Sequence, residues 1–129
     1  MRTYNRLQVR ETDVDNVGSV MVVRFVDEQI VDLLEIEEMG QELCGLVQEA
    51  SSGRFLLNFS GVKFFSSAGI GKLISFHGKV RSRKGSMKLC RLPVEIFDVF
   101  KACNLDSLFD IRQDEADALR SFGLPALED

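Results

Sequence analysis

Along this chain, runs of β-branched and aromatic residues alternate with stretches whose apolar residues recur every three or four positions, and no other feature limits the fold so strongly. Residues 19–26 (Ser-Val-Met-Val-Val-Arg-Phe-Val) form a nearly continuous β-branched run, as a central strand requires. Residues 55–59 read as a second buried strand. Between them, Leu33, Ile36, Met39, Leu43, Leu46, Val47 and Ala50 trace the inner stripe of an amphipathic helix over 32–50, with acidic residues interspersed. Ser51-Ser52-Gly53 is its stop signal. A second helix is predicted over 67–83, with Ile70, Leu73, Ile74, His77 and Val80 (or Arg81) facing inward. Then follow a short strand at 86–90, a helix with Pro93 as its first residue, a strand at 108–111 and a helix over 114–122 opened by acidic residues. At the start of the chain, Leu7, Val9 and Glu11 alternate with polar residues as in a half-buried edge strand, and 14–18 is a turn.

The order β-β-α-β-α-β-α-β-α predicts one α/β domain over 1–122, with a mixed, mostly parallel sheet and right-handed crossovers. Its first strand is expected to lie antiparallel at an edge, and residues 123–129 are expected to fray. A length of 129 residues suits a single domain with a real core.

Charge is unevenly spread. Residues 1–49 hold 4 basic and 11 acidic side chains, 50–94 hold 9 basic and no acidic ones, and 95–129 hold 3 basic and 9 acidic ones. The central segment is therefore a positive island in the linear sequence, read either as a partner surface or as an ordinary solvated face. A net charge of −4 argues against a general nucleic-acid binder. No apolar stretch nears the ~20 residues that span a bilayer, and Met1 to Arg6 lack the apolar core of a secretory leader. The expected location is cytoplasmic. Cys44, Cys90 and Cys103 show neither disulfide nor metal spacing and are read as core fillers.

Catalytic chemistry is sparse. The one histidine, His77, falls on a predicted inner stripe and is read as structural. Ala68-Gly69-Ile70-Gly71-Lys72-Leu73 is not a phosphate-binding loop: Ser66 stands where the first glycine belongs and Leu73 where Ser or Thr belongs. No metal or cofactor is expected. What stands out is Phe64-Phe65-Ser66-Ser67-Ala68-Gly69, two serines where a strand delivers the chain into a helix. One serine suffices as a helix cap. A phosphate on such a serine would meet free amides and the positive end of the helix dipole.

The stretch from Leu56 through Asn58-Phe59-Ser60-Gly61-Val62-Lys63-Phe64-Phe65-Ser66-Ser67-Ala68-Gly69-Ile70-Gly71 resembles the signature of STAS domains, the anti-sigma factor antagonists. Those read hydrophobic-Asp-hydrophobic-Ser-x-Val-x-Phe-hydrophobic-Asp-Ser-Ser-Gly-Leu-Gly, and the later Val94-Glu95-Ile96-Phe97-Asp98-Val99-Phe100 extends the likeness. Here Asn58 and Ser66 stand at the two acidic positions, and Ala68 at the second Ser or Thr. The resemblance implies a non-enzymatic module that binds an anti-sigma factor or related serine kinase, with Ser67 as phosphoacceptor. It implies partner contacts around Ser66, Ala68, Gly69 and Lys72. Phe76 lies off the inner stripe and is either an exposed contact or covered by a neighbouring element. An unphosphorylated interaction scaffold is the alternative, and self-association stays open.

Overall fold

The computed structural model describes residues 2–50 and 53–123, so all but Gly123 of the tail expected at 123–129, and Ser51-Ser52 of the Ser51-Ser52-Gly53 stop signal, lie outside the described residues. Among the described residues, eight strands and four helices follow one another: β1 (Arg2–Thr3), β2 (Leu7–Val14), β3 (Gly18–Phe25), β4 (Gln29–Ile30), α1 (Leu33–Glu49), β5 (Arg54–Asn58), β6 (Phe64–Phe65), α2 (Ser67–Ser82), β7 (Ser86–Cys90), α3 (Val94–Ala102), β8 (Asp110–Arg112) and α4 (Glu115–Phe122). The main sheet runs β1-β2-β3-β5-β7-β8. The first two pairings are antiparallel and the other three parallel, so the mixed, mostly parallel α/β sheet is as expected.

Register sorts the strand residues onto two faces. Met21, Phe55 and Met87 line up across three strands, as do Val23, Leu57 and Leu89. They meet Ile36, Met39, Leu43, Leu46 and Val47 of α1, Leu73, Phe76 and Val80 of α2, and Ile96 and Phe100 of α3 in the main core. The alternate residues Val20, Val22, Leu56 and Cys90 face the other way and are covered by Ala118, Leu119 and Phe122 of α4. Three helices thus pack on one face and α4 alone on the other.

Several details depart from the sequence reading. β2 is not the edge, because β1 adds a further strand, pairing Arg2 with Val9. A two-stranded parallel ladder joins β4 to β6, too short for any periodicity to show. Pro93 caps α3 instead of opening it. Leu33 shares the inner stripe of α1 but stays 71% exposed in the first turn. The chief correction is the phase of α2. Its buried residues are Gly69, Ile70, Leu73, Phe76 and Val80, while Ile74 is exposed and His77 half-buried. Phe76 packs edge-on against Phe55, with ring centroids 5.3 Å apart. A phenyl ring gains more from burial than an imidazole, so the helix turns Phe76 in and leaves His77 at the boundary, against Phe109. Partial burial, aided by Arg81, holds the His77 pKa below its ordinary value.

The cysteines also divide. Cys90 is buried, and burial pushes its thiol up to about 12, with Glu115 adding to the effect. Cys103 is exposed, and Cys44 is half-buried with the Lys79 ammonium 2.9 Å from its sulfur. Only Cys90 fills a core as expected.

Candidate functional site

The β6–α2 corner separates its two serines. Ser66 has extended backbone (φ −75°, ψ 165°), and its Oγ accepts from the Gly69 amide at 3.3 Å, so it is the N-cap. Its own N–H donates to the Ile30 carbonyl at 2.9 Å, which ties the cap to the β4–β6 ladder. Ser67 is the first helical residue and is exposed, and its hydroxyl has no partner among the described residues. Ala68 packs against the core. Gly69 is buried, and a Cβ there would lie 2.9 Å from Phe65 Cε2. Phe65 cannot yield easily, since its ring stands edge-on to Phe59 (5.4 Å) and Phe25 (6.1 Å). Glycine is therefore required there by packing against the ring. Ser66→Ala is expected to cost about 1 kcal/mol of stability through loss of the cap. Ser67→Ala should stay within about half a kcal/mol, and chemical denaturation of the two variants measures the difference.

Lys72 turns toward α1, with Nζ 2.7 Å from Glu37 and its stem over Gly40, where a Cβ would meet Lys72 Cδ at 2.7 Å. Phe76, one of the anticipated partner contacts, is corrected: at 1% exposure it belongs to the core. The positive island is also less positive in space than in sequence. Lys63, Lys72 and Lys88 meet Glu28, Glu37 and Asp110, all from outside the segment.

Apolar side chains flank the corner. Phe64 is 59% exposed, and Val31, which follows the residue that holds Ser66, is 50% exposed. Leu33 and Leu34 open α1 just beyond. Sequence reasoning missed Val31 and Leu34 as surface candidates. No local signal marked them, since adjacent apolar residues of a helix can both be buried, as Leu46 and Val47 are in α1.

A family model for the STAS domain matches residues 11–118. The chain belongs to the STAS domain family.

Solved structures carry the same fold. An anti-sigma-factor antagonist (STAS) domain protein from Planctomyces limnophilus superimposes with a TM-score of 0.74 at 22% identity, covering 90% of this chain and 98% of that one. An anti-sigma factor antagonist from Mycobacterium paratuberculosis gives 0.72 at 19% identity, over 95% and 99% of the two chains. The Bacillus cell fate determinant SpoIIAA in its phosphorylated form gives 0.60 at 16%, over 88% and 99%.

In this STAS domain the two departures at acidic positions have different settings. Ser66 replaces a carboxylate in the cap and does the capping itself. Asn58 lies on the α4 side of the sheet, in register with Arg24 and Cys90. Its Nδ2 donates to Glu115 at 2.7 Å, and its Oδ1 accepts from the Ser60 amide at 2.8 Å. Burial works to raise the Glu115 pKa, but hydrogen bonds from Arg10 and Asn58 prevail and hold the carboxyl below its ordinary range. No helix among the described residues is long and apolar enough to cross a membrane.

Proposed function

We propose that this STAS domain is a non-catalytic, cytoplasmic regulatory module that binds an anti-sigma factor or related serine kinase at the β6–α2 corner and is switched by phosphorylation of Ser67. The observation that carries this reading is the division of labour between the serines: Ser66 is occupied as the cap, whereas Ser67 is exposed with a free hydroxyl. A phosphate there adds about −1.5 to −2 charges where first-turn amides and the helix dipole receive them, so the fold tolerates the group while the surface charge changes sharply. The exposed Phe64 and Val31 supply apolar contact area beside Ser66, Ala68 and Gly69. Lys72 contributes through its ion pair at the rim. The phosphorylated form of a structural relative is in keeping with such a switch.

The test is affinity capture from native cytosol with wild-type, Ser67→Ala and Ser67→Asp proteins, together with phosphosite mapping after incubation with the captured kinase. A partner of kinase or sigma-regulating type, lost with Ser67→Asp and retained with Ser67→Ala, is the expected result. Phosphate on Ser66 alone refutes the assignment of the acceptor. Binding indifferent to Ser67→Asp, with neither serine modified, leaves an unphosphorylated scaffold.

A further inference from the structure

At the far end of α2 from Ser67, about 20 Å along the helix axis, Lys79, Arg81, Arg83 and Lys84 all stand exposed. None of the four has a carboxylate partner among the described residues. Lys79 reaches the Cys44 sulfur and Arg83 the Val47 carbonyl, both neutral. The cleft of about 310 Å³ that Arg83 and Lys84 line is otherwise formed, among the described residues, by uncharged ones. Attraction to the negative end of the helix dipole accounts for Lys79 and Arg81 in the last turn. It does not account for Lys84. The helix ends in a Schellman motif, in which the Lys84 amide donates to the Arg81 carbonyl and the Gly85 amide to the Val80 carbonyl, both at 2.9 Å. Lys84 holds the left-handed position of that motif, with φ 61°, which glycine usually fills because it has no Cβ to strain. Gly85 is required where it stands, since a Cβ there would run into the Gly53 carbonyl. Local preference therefore works against a lysine at 84, and non-glycine residues held in this conformation concentrate at ligand clamps and functional sites.

We propose that this basic end of α2 docks an acidic segment of a partner protein, a short run of Asp and Glu side chains met by Arg81, Arg83 and Lys84. Guanidinium forks take carboxylates through two parallel hydrogen bonds, and lysine adds a point charge. The size of the patch selects against larger polyanions. Its cations lie within about 10 Å along the helix, whereas the whole chain carries −4 and residues 1–49 hold 11 acidic side chains against 4 basic ones. A bilayer or a nucleic acid would extend over those repelling surfaces. A second copy of this chain would offer its acidic surface head to tail, a contact that propagates unless it closes into a ring. The basic end is separate from the Ser67 corner and does not depend on its role.

The experiment titrates a fluorescein-labelled hexaglutamate peptide with the full chain at low ionic strength, where exposed charges are least screened, reading anisotropy and amide shifts by NMR. Saturable binding is expected, with shifts centred on residues 79–85. Arg83→Gln and Lys84→Gly should each weaken it about two- to fivefold, the scale of one exposed ion pair. Lys101→Gln on α3 changes the net charge equally and should leave binding unaltered. Lys84→Gly should also keep or raise the urea midpoint, because glycine relieves the left-handed backbone. Weaker binding by a chain at least as stable separates docking from folding. Binding that never saturates, that responds equally to Lys101→Gln, or that is lost along with stability in Lys84→Gly overturns the proposal. So does tighter binding, through the same residues, of single-stranded DNA or of vesicles of phosphatidylserine and phosphatidylcholine in equal parts, which assigns the surface to a polyanion. Self-association in sedimentation that Lys84→Gly abolishes assigns it to a second copy and likewise overturns the proposal.

Discussion

Phe76→Ala is expected to lower folding stability by about 3–5 kcal/mol, whereas Ile74→Ala, two residues earlier on the same helix, should cost well under half of that. Phe76 is 1% exposed and stacks edge-on against Phe55, itself buried in the sheet. Truncation removes the ring's transfer free energy and leaves a cavity between α2 and β5 that rigid strand side chains cannot fill. Ile74 is 41% exposed, so water already meets much of what its truncation would uncover. Urea unfolding of both variants, compared with Leu73→Ala as a fully buried reference, reads the helix phase directly. Equal losses at 74 and 76 would show the phase to be wrong, since only one of these positions faces the sheet.

Asn58→Asp, which places there the acid that STAS signatures carry, is expected to destabilise this chain by about 2–4 kcal/mol. The substitution turns a donor 2.7 Å from the Glu115 carboxylate into a second acceptor bearing like charge, at a position only 4% exposed. Glu115 keeps 25% of its side-chain surface in water, which holds the cost below that of a fully enclosed pair. The cost should shrink on acidification, because protonating either carboxyl restores a donor between them. In the wild type the sign is opposite. Glu115 titrates lower in the folded state, so its contribution is present above the unfolded carboxyl pKa and is lost as pH falls through the folded one.

Adding Glu115→Gln to Asn58→Asp reverses donor and acceptor. The amide introduced at position 115 donates to the carboxylate introduced at position 58 and still accepts from Arg10, and the Ser60 amide keeps its acceptor. The double variant should therefore recover most of the lost stability. A double-mutant cycle from denaturant melts at neutral pH measures this coupling. Strict additivity of the two substitutions would mean that the 58–115 hydrogen bond does not hold α4 to the sheet.

The order of the longer strands and the helices, most helix limits and much of the main core were legible in the sequence, because each rests on local preference or on period; the two-residue strands β1, β4 and β6 were not. The continuous β-branched run of β3 and the apolar recurrence in α1 needed no knowledge of their neighbours. The two-serine corner was legible too, since capping is a property of a few consecutive residues. Other features were settled only when elements met. The stripe on α2 admitted two phases, and the ring of Phe55 on a neighbouring strand selected the one that buries Phe76. Lys63, Lys72 and Lys88 found carboxylates outside the segment, which offset part of a positive charge that was real along the chain. Asn58 and Glu115 are 57 residues apart, and no local pattern joins them. Period and propensity act along the chain and are written there; charge pairing, helix phase and clefts depend on which surfaces face each other, and that is decided by tertiary packing.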